Sequence, residues 1–305
     1  MQSFSKATSV STALLTAATI FLAAPAAYAG PMERISDTGV IKIGFREDAY
    51  PFSYRNQDGD PAGYTVEICR EIAATVEEKL DLADLNIEYV PVSAANRFEV
   101  VADGQVDMLC GATTKRLSLR EIVSFSLPIF ETGIGAMVHP SASSRLRDAI
   151  NDVDAFPGAG GPARDGDYAG IVMAARASTT AADWLPTEMG APDGGAKIMS
   201  VESHDEGFQK LLSGDIDVYF ADRAILLSLV VANQAEDKLI VGERLFSNEP
   251  YGLVFAKDDD AFRLLVDRSL IRLFLSDGIS EIYSRYFGEA DDDVRADFMM
   301  NTLPE

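Results

Sequence analysis

"FEVVADGQVDMLCGA", from Phe98 to Ala112, and "FQKLLSGDIDVYFAD", from Phe208 to Asp222, each predict a helix, a glycine turn and a strand. Phenylalanine, glycine, a β-branched residue and aspartate fall at the same spacing in both, pairing Phe98 with Phe208, Gly104 with Gly214, Val106 with Ile216 and Asp107 with Asp217. One interpretation is a turn that many α/β units share. The other is two similar lobes, which would place Ala112 and Asp222 beyond strand ends, where open α/β sheets bind ligands.

The residues that precede the first of these stretches extend the same alternation. A β-rich run at residues 40–45 is followed by apolar residues at helical spacing over 63–80 and by a second strand pattern at 86–92. Strands and helices that alternate in this way predict an α/β fold with a mainly parallel sheet. A further strand is predicted at residues 132–138, after which His139 and Pro140 interrupt the pattern.

The amino terminus has the features of an export signal. Lys6 precedes an apolar run over residues 14–24, and Ala27, Tyr28 and Ala29 form a triplet typical of signal peptidase cleavage. The sequence therefore predicts a signal peptide over residues 1–29, cleaved after Ala29. No cysteine follows the cleavage site directly, so a lipid anchor is not indicated, and we expect a periplasmic protein that diffuses freely.

The chain is strongly acidic, with 48 acidic and 26 basic residues and a net charge of −22. A field of that sign repels nucleic acids and anionic lipid surfaces, so we expect no nucleic-acid partner. If the ligand is itself an anion, local arginines must overcome this field. Each arginine near a strand end is therefore informative.

The two cysteines, Cys69 and Cys110, belong to a protein that we expect in an oxidising compartment. They could form a disulfide, or they could be buried thiols that pack as small hydrophobes. Sequence supplies no distance between them, so both alternatives stay open.

An ordered set of segments resembles a known family: "GVIKIGFREDAYPFSYRNQDGDPAGYTVEI", "VPVSAANRFEVVADGQVDMLCGATT", "FSLPIFETG", "GFQKLLSGDIDVYFAD" and "SDGISEIYSRYFG". They look like the polar amino acid solute-binding proteins of bacterial ABC importers, most of all the glutamate/aspartate-binding branch. The resemblance spans about residues 35–288. It implies an α/β, two-lobed, hinged periplasmic-binding-protein fold of type II, with crossings near residues 138–141 and 244–248. Lobe 1 would comprise residues 30–138 and 248–305, and lobe 2 residues 141–244.

The resemblance also implies residue roles. Arg46 and Arg97 match arginines directed at ligand carboxylates, and His204 matches a histidine at the side-chain end of the ligand. Asp222 matches the acid that receives the α-ammonium group, and Ser178 and Thr179 match a turn that holds the α-carboxylate. Each match has an alternative without a ligand: a surface charge, a histidine satisfied within the fold, or the N-cap of a helix.

The first strand-to-helix joint departs from the family pattern. Gly111 would let the backbone approach a ligand, Ala112 would leave room, and Thr113 and Thr114 would offer hydroxyls and amides ahead of a helix capped by Ser118 and Glu121. The family arginine that clamps the α-carboxylate is replaced by Leu119. We expect Arg116 to reach the carboxylate instead, because a guanidinium can grip it with two parallel hydrogen bonds.

These residues predict a binding protein for a polar, acidic amino acid, which presents its ligand to the membrane permease of an ABC importer and is a monomer. No catalytic residue, metal site or cofactor is indicated. Two alternatives stay open: an exported enzyme similar to the cyclohexadienyl dehydratases, and a sensory protein that docks on a receptor. The dehydratase would need a cleft acid with a raised pKa, and the sequence nominates none.

Overall fold

The computed structural model describes residues 30–151, 168–189 and 195–304. The predicted signal peptide and its cleavage site lie outside these residues. The strands are β1 (Val40–Arg46), β2 (Asp48–Ala49), β3 (Ser53–Arg55), β4 (Pro61–Ala62), β5 (Asn86–Val92), β6 (Met108–Cys110), β7 (Val123–Phe125), β8 (Phe130–Thr132), β9 (Ile134–Val138), β10 (Val172–Arg176), β11 (Lys197–Val201), β12 (Val218–Asp222), β13 (Ile240–Val241), β14 (Glu249–Tyr251) and β15 (Val254–Ala256).

Helices cover the two larger sheets. They are α1 (Pro31–Thr38), α2 (Tyr64–Leu80), α3 (Arg97–Ala102), α4 (Ser144–Ala149), α5 (Thr180–Met189), α6 (His204–Ser213), α7 (Arg223–Ala232), α8 (Asp260–Leu275), α9 (Gly278–Phe287) and α10 (Asp292–Met300). Among the described helices none has the length and apolarity that crossing a bilayer requires.

The first large sheet has the strand order β5-β1-β6-β15-β7, and the second has the order β11-β10-β12-β9-β13. In each sheet two parallel pairings are followed by two antiparallel ones. The expectation of a mainly parallel sheet therefore holds for three strands of each. We call the first sheet with its helices the first lobe and the second sheet with its helices the second lobe.

The sequence repeat that pairs Phe98 with Phe208 reflects this shared topology. Asp107 donates its amide to the Lys42 carbonyl at 2.9 Å and accepts the Lys42 amide on its carboxylate at 2.7 Å. Asp217 makes the same two contacts with Val172, each at 2.8 Å. These aspartates tie the starts of equivalent strands together, so their role in the repeat is structural.

The chain passes between the lobes beside a small sheet in which β8 pairs with β14. Strand β9 belongs to the second sheet, whereas the predicted division assigned residues up to 138 to lobe 1. The chain changes sheet at Gly133, where an added Cβ would lie 2.0 Å from the Ser247 carbonyl oxygen. A strand pattern does not reveal which sheet the strand joins, which explains the displaced boundary.

The predicted capped helix after the first joint is wrong. Residues Ser118–Glu121 form a single 3-10 turn without a side-chain cap, and β7 begins two residues later. The chain forms strand β7 there instead of a helix, because pairing of β7 with β15 buries Val123 and Phe125 in the core. The joint therefore has no helix N-terminus that could bind an anion.

A disulfide joins Cys69 in α2 to Cys110 at the end of β6, with their Cα atoms 6.4 Å apart. Both residues are fully buried in the core of the first lobe. The cross-link fixes α2 against the strand that leads directly to Gly111 and Ala112. It therefore anchors one wall of the region described next.

Candidate functional site

A narrow cavity lies where the strand ends of the two lobes meet. About 30 Å³ of it is open to the centre of a water molecule. Both lobes contribute to its lining, which consists of Arg46, Ala49, Arg97, Phe98, Ala112, Thr114, Arg116, Leu119, Thr179, Thr180, His204, Asp222 and Ile225. The cavity therefore gathers most of the residues that the sequence singled out.

Arg46, the last residue of β1, is 3% exposed. Its Nη2 donates to Asp48 Oδ1 at 2.8 Å, while its Nε is buried without a hydrogen-bond partner among the described residues. Burial lowers the pKa of Arg46, against the opposing charge of Asp48. A buried guanidinium with an unused donor is suited to bind an anion.

Arg97 opens α3 and reaches across to the second lobe. Both of its terminal nitrogens donate to the Ser178 carbonyl at 3.2 Å, and Nη1 also contacts the Ala94 carbonyl. Its guanidinium carbon lies 4.4 Å from the centre of the Phe98 ring. Burial, together with repulsion from Arg46 and Arg116, lowers the pKa of Arg97 to about 9, so the group remains charged at neutral pH.

Arg116 lies at the cavity from the first lobe and forms an ion pair with Asp183 of α5, at 2.8 Å. Leu119, which replaces the family arginine, lines the same cavity. Arg120 is exposed and is not part of the lining. Of the two arginines on either side of Leu119 in sequence, Arg116 lines the cavity and Arg120 does not.

The first joint is arranged differently from the expectation. At Gly111 an added Cβ would lie 3.1 Å from the Arg46 Cγ, so this glycine makes room for the arginine. Ala112 lines the cavity. The Thr114 hydroxyl donates to Glu249 at 2.7 Å, and the Lys115 amide donates to the Pro250 carbonyl. Much of the donor capacity of this joint is thus used by the protein itself.

The turn of the second lobe serves chiefly as a helix start. The Thr179 hydroxyl donates to the Arg176 carbonyl at 2.7 Å and accepts the Ala182 amide at 3.3 Å, which is N-cap geometry. Ser178 has a left-handed backbone, with φ of 60°, and is not among the lining residues. It faces the site through its carbonyl, which accepts from Arg97.

His204 begins α6 and lies buried at the cavity. Its Nδ1 is 2.9 Å from the Tyr219 hydroxyl. Burial and the nearby Arg176 and Arg46 lower the pKa of His204 to about 3. The ring is therefore neutral at physiological pH and can donate or accept a hydrogen bond without adding positive charge.

Asp222 ends β12 of the second lobe and lines the same cavity as the arginines of the first lobe, and its Oδ1 is buried. Burial and the neighbouring Glu249 carboxylate raise the pKa of Asp222 to about 8. The Tyr251 hydroxyl lies beside it, and burial and the two acids hold the pKa of Tyr251 well above its usual value. This end of the cavity is acidic and carries a proton at neutral pH.

Glu249 is a site residue that the sequence did not single out. Its Oε2 accepts from Thr114 of the first lobe and from Thr180 of the second lobe, both at 2.7 Å, while Oε1 accepts from Ser247 at 3.0 Å. Asp48 and Arg176, also missed, meet across the lobes. The family pattern contained no signal for these contacts, because they depend on distances between segments remote in sequence.

Tyr50 lies outside this cavity. It packs on Tyr54 and faces a second crevice, whereas Ala49 lines the cavity. The aromatic ring of the cavity is that of Phe98. Among the described residues no group of three or more histidine, cysteine or acidic side chains is arranged to bind a metal ion.

Comparison with known proteins matches residues 41–289 to the bacterial extracellular solute-binding proteins, family 3. The L-glutamate/L-aspartate-binding protein of Pseudomonas aeruginosa is 29% identical, over 85% of this chain and 80% of the relative. The glutamate/aspartate import solute-binding protein of Escherichia coli is 27% identical, over 87% of this chain and 82% of the relative. The chain therefore belongs to family 3 of the bacterial extracellular solute-binding proteins, as the resemblance predicted.

Solved structures share the fold. The cysteine-binding protein of Campylobacter jejuni matches with a TM-score of 0.69 at 22% identity, over 88% of this chain and 98% of that one. An ancestral amino acid-binding protein, described as a precursor of cyclohexadienyl dehydratase, matches with a TM-score of 0.67 at 19% identity, over 85% of this chain and 100% of that one. Both sequence relatives above are named as binding proteins, and the second is named as an import protein.

Proposed function

We propose that this protein binds an acidic amino acid, glutamate or aspartate, between its two lobes and delivers it to the membrane permease of an ABC importer. The observation that carries the proposal is that one cavity gathers basic side chains from the first lobe and an acidic side chain from the second. Arg46, Arg97 and Arg116 lie at it from the first lobe, and Asp222 lies at it from the second. An acidic amino acid presents two carboxylates and one ammonium group to such a site.

The guanidiniums account for the carboxylates of the ligand. Arg46 and Arg97 are both buried and each keeps an Nε without a partner among the described residues. Their mutual repulsion, together with that of Arg116, contributes to the lowered pKa of Arg97. An anion between them would relieve this repulsion and supply acceptors for the unused donors.

Asp222 accounts for the ammonium group of the ligand. Its Oδ1 is buried and accepts no hydrogen bond from the described residues. The carboxylate of Glu249 nearby makes this end of the cavity doubly acidic when Asp222 is ionised. A cationic ammonium group would compensate that charge.

Contacts between the lobes support closure around the ligand. Arg97 reaches the Ser178 carbonyl, Arg116 reaches Asp183, and Glu249 holds a threonine from each lobe. With about 30 Å³ open to the centre of a water molecule, the cavity leaves little room for an amino acid unless the lobes move. We propose that they open at the crossings beside β8 and β14 and close on the ligand.

The proposal places the protein in the periplasm, as a monomer released by cleavage after Ala29. The relatives in Pseudomonas aeruginosa and Escherichia coli are named for binding glutamate and aspartate, which supports the same ligand class here. Family membership over residues 41–289 supports an extracytoplasmic binding role. The permease partner follows from that role.

A thermal-shift screen of common amino acids tests the ligand class. Glutamate or aspartate should give the largest shift, since a ligand at about 100 times its dissociation constant adds about 2.7 kcal/mol of stability. Lysine and arginine should give little, because the guanidiniums repel them.

Matched variants make the screen specific. Arg97→Met and Arg116→Ala should reduce the shift with glutamate, whereas Arg272→Met, at an exposed ion pair with Glu78, should keep it. The largest shift with lysine or arginine, or none with either acidic amino acid, would contradict the proposal.

A further inference from the structure

Arg176, at the end of β10, is a buried cation of the second lobe that no sequence pattern selected. Its side chain is 5% exposed. Nε donates to the Glu202 carbonyl at 3.1 Å and Nη2 pairs with Asp48 of the first lobe. Nη1 is buried and has no hydrogen-bond partner among the described residues. Two of its three nitrogens therefore donate to acceptors, and the third has none among the described residues.

Asp48 links Arg176 to Arg46, one guanidinium from each lobe. Its Oδ1 accepts from Arg46 at 2.8 Å, and its Oδ2 accepts from Arg176. The Asp48 side chain is 45% exposed, so it approaches the two buried guanidiniums from the solvent side. Burial opposes ionisation of Asp48, but the two arginines outweigh it and lower the pKa of this carboxyl, which stays ionised.

The charges in this cluster do not balance. Two guanidiniums face one carboxylate, and the adjacent His204 is neutral at physiological pH. One positive charge is left, on groups whose unused donors, Arg46 Nε and Arg176 Nη1, are both buried. An unpaired buried charge is costly, so the cluster is suited to one further anion.

We infer that Arg176 is a specificity-determining residue of the second lobe, which together with Arg46 binds the side-chain carboxylate of the ligand. Asp48 compensates one of the two positive charges and leaves the other for that carboxylate. This inference rests on the proposed function. The cluster forms only where the lobes meet, so the same contact couples recognition of the distal carboxylate to closure.

Comparing glutamate with glutamine isolates this contact, because the two differ at the distal group, a carboxylate against a neutral amide. Calorimetry should show that Arg176→Met lowers the ratio of glutamate to glutamine affinity about tenfold or more. Arg176→Lys, which keeps the charge, should retain part of the ratio. Arg147→Met, at an arginine that donates to the Pro140 carbonyl, is the control of the same lobe and should leave the ratio unchanged.

Asp48→Asn should change the ratio of glutamate to glutamine affinity in the opposite direction. Removal of the competing carboxylate leaves both guanidiniums for the ligand, so the glutamate to glutamine ratio should rise. Any general loss of closure would weaken both ligands and cancel in the ratio. A fall in the ratio would overturn the role assigned to Asp48.

The outcomes separate the inference from the function on which it rests. Glutamate binding by the wild-type protein, with equal losses of glutamate and glutamine affinity in Arg176→Met, would overturn the inference and leave the proposed function standing. Absence of glutamate and aspartate binding by the wild-type protein would overturn both.

Discussion

In the proposed function, binding of the ligand must change the protonation state of Asp222. Its pKa of about 8 in the folded protein results from burial and the Glu249 carboxylate, with the Tyr251 hydroxyl beside it. The positive groups of the cavity are Arg46, Arg97, Arg116 and the adjacent Arg176, since His204 is neutral. An ammonium group beside Asp222 favours its ionised form and lowers the pKa again.

Ligand binding should therefore release a proton from Asp222 at pH values below about 8. Affinity for glutamate should rise as pH increases from 6 toward 8, because less work is then needed to ionise the carboxyl. Calorimetry in two buffers of different ionisation enthalpy measures the number of protons released. Binding of glutamate at pH 6 without proton release would contradict the role given to Asp222.

The pH dependence of unfolding, measured without a ligand, tests the raised pKa of Asp222 independently. Its folded pKa, about 8, lies above the ordinary value of 3.8, so the folded state holds the proton more tightly. The contribution of Asp222 to stability is complete below pH 3.8 and is lost as pH rises through about 8. Asp222→Asn should remove this decline, seen as a flatter pH dependence of denaturant unfolding than in the wild-type protein.

Sequence could select Arg46, Arg97, His204 and Asp222, because each of them matches one position of the family pattern. The structure brings all four to one cavity. The charge state of His204 was not predictable, because it depends on burial and on an arginine 28 positions away. Arg176 and Asp48 were missed for the same reason. Their contact exists only once the two lobes are brought together.

At the scale of elements, the disulfide stabilises the part of the first lobe that leads to the cavity. The Cys69–Cys110 bridge closes a loop with a sequence separation of 41 residues, and it joins α2 to β6 just before Gly111. A loop of that length is expected to stabilise the fold by about 4 kcal/mol on the chain-entropy account. Sequence could not decide whether the bridge forms, since only the fold supplies the separation of the Cα atoms.

Replacement of both cysteines by alanine should therefore lower the free energy of unfolding by about 4 kcal/mol. Denaturant unfolding of the oxidised wild-type protein and of the double variant measures the difference, and the wild-type protein under reducing conditions serves as control. Equal stability of oxidised and reduced wild-type protein would show that the bridge does not constrain the chain.

Strand positions were predictable from apolar pattern, as β1, β5 and β9 show. Sheet membership was not, because β9 follows β8 after a single glycine and yet pairs in the other lobe. The 3-10 turn at Ser118–Glu121 illustrates the same limit. Capping residues predicted a helix there, but pairing of the next strand with β15 determined the local structure.

At the scale of the whole molecule, a net charge of −22 opposes the approach of an anion. The cavity overcomes this locally, because guanidiniums from both lobes lie within or beside it while the acidic end is protonated at neutral pH. Those guanidiniums repel one another until an anion lies between them. Closure of the lobes and binding of an acidic ligand are therefore one event in this account.

The most direct test of that claim is a crystal structure of the protein with glutamate. We predict one glutamate between the lobes, with its ammonium group hydrogen-bonded to Asp222 and its carboxylates hydrogen-bonded to the guanidiniums of Arg46 and Arg97. A glutamate bound elsewhere, or a closed structure in which those guanidiniums point into solvent away from the ligand, would contradict the account.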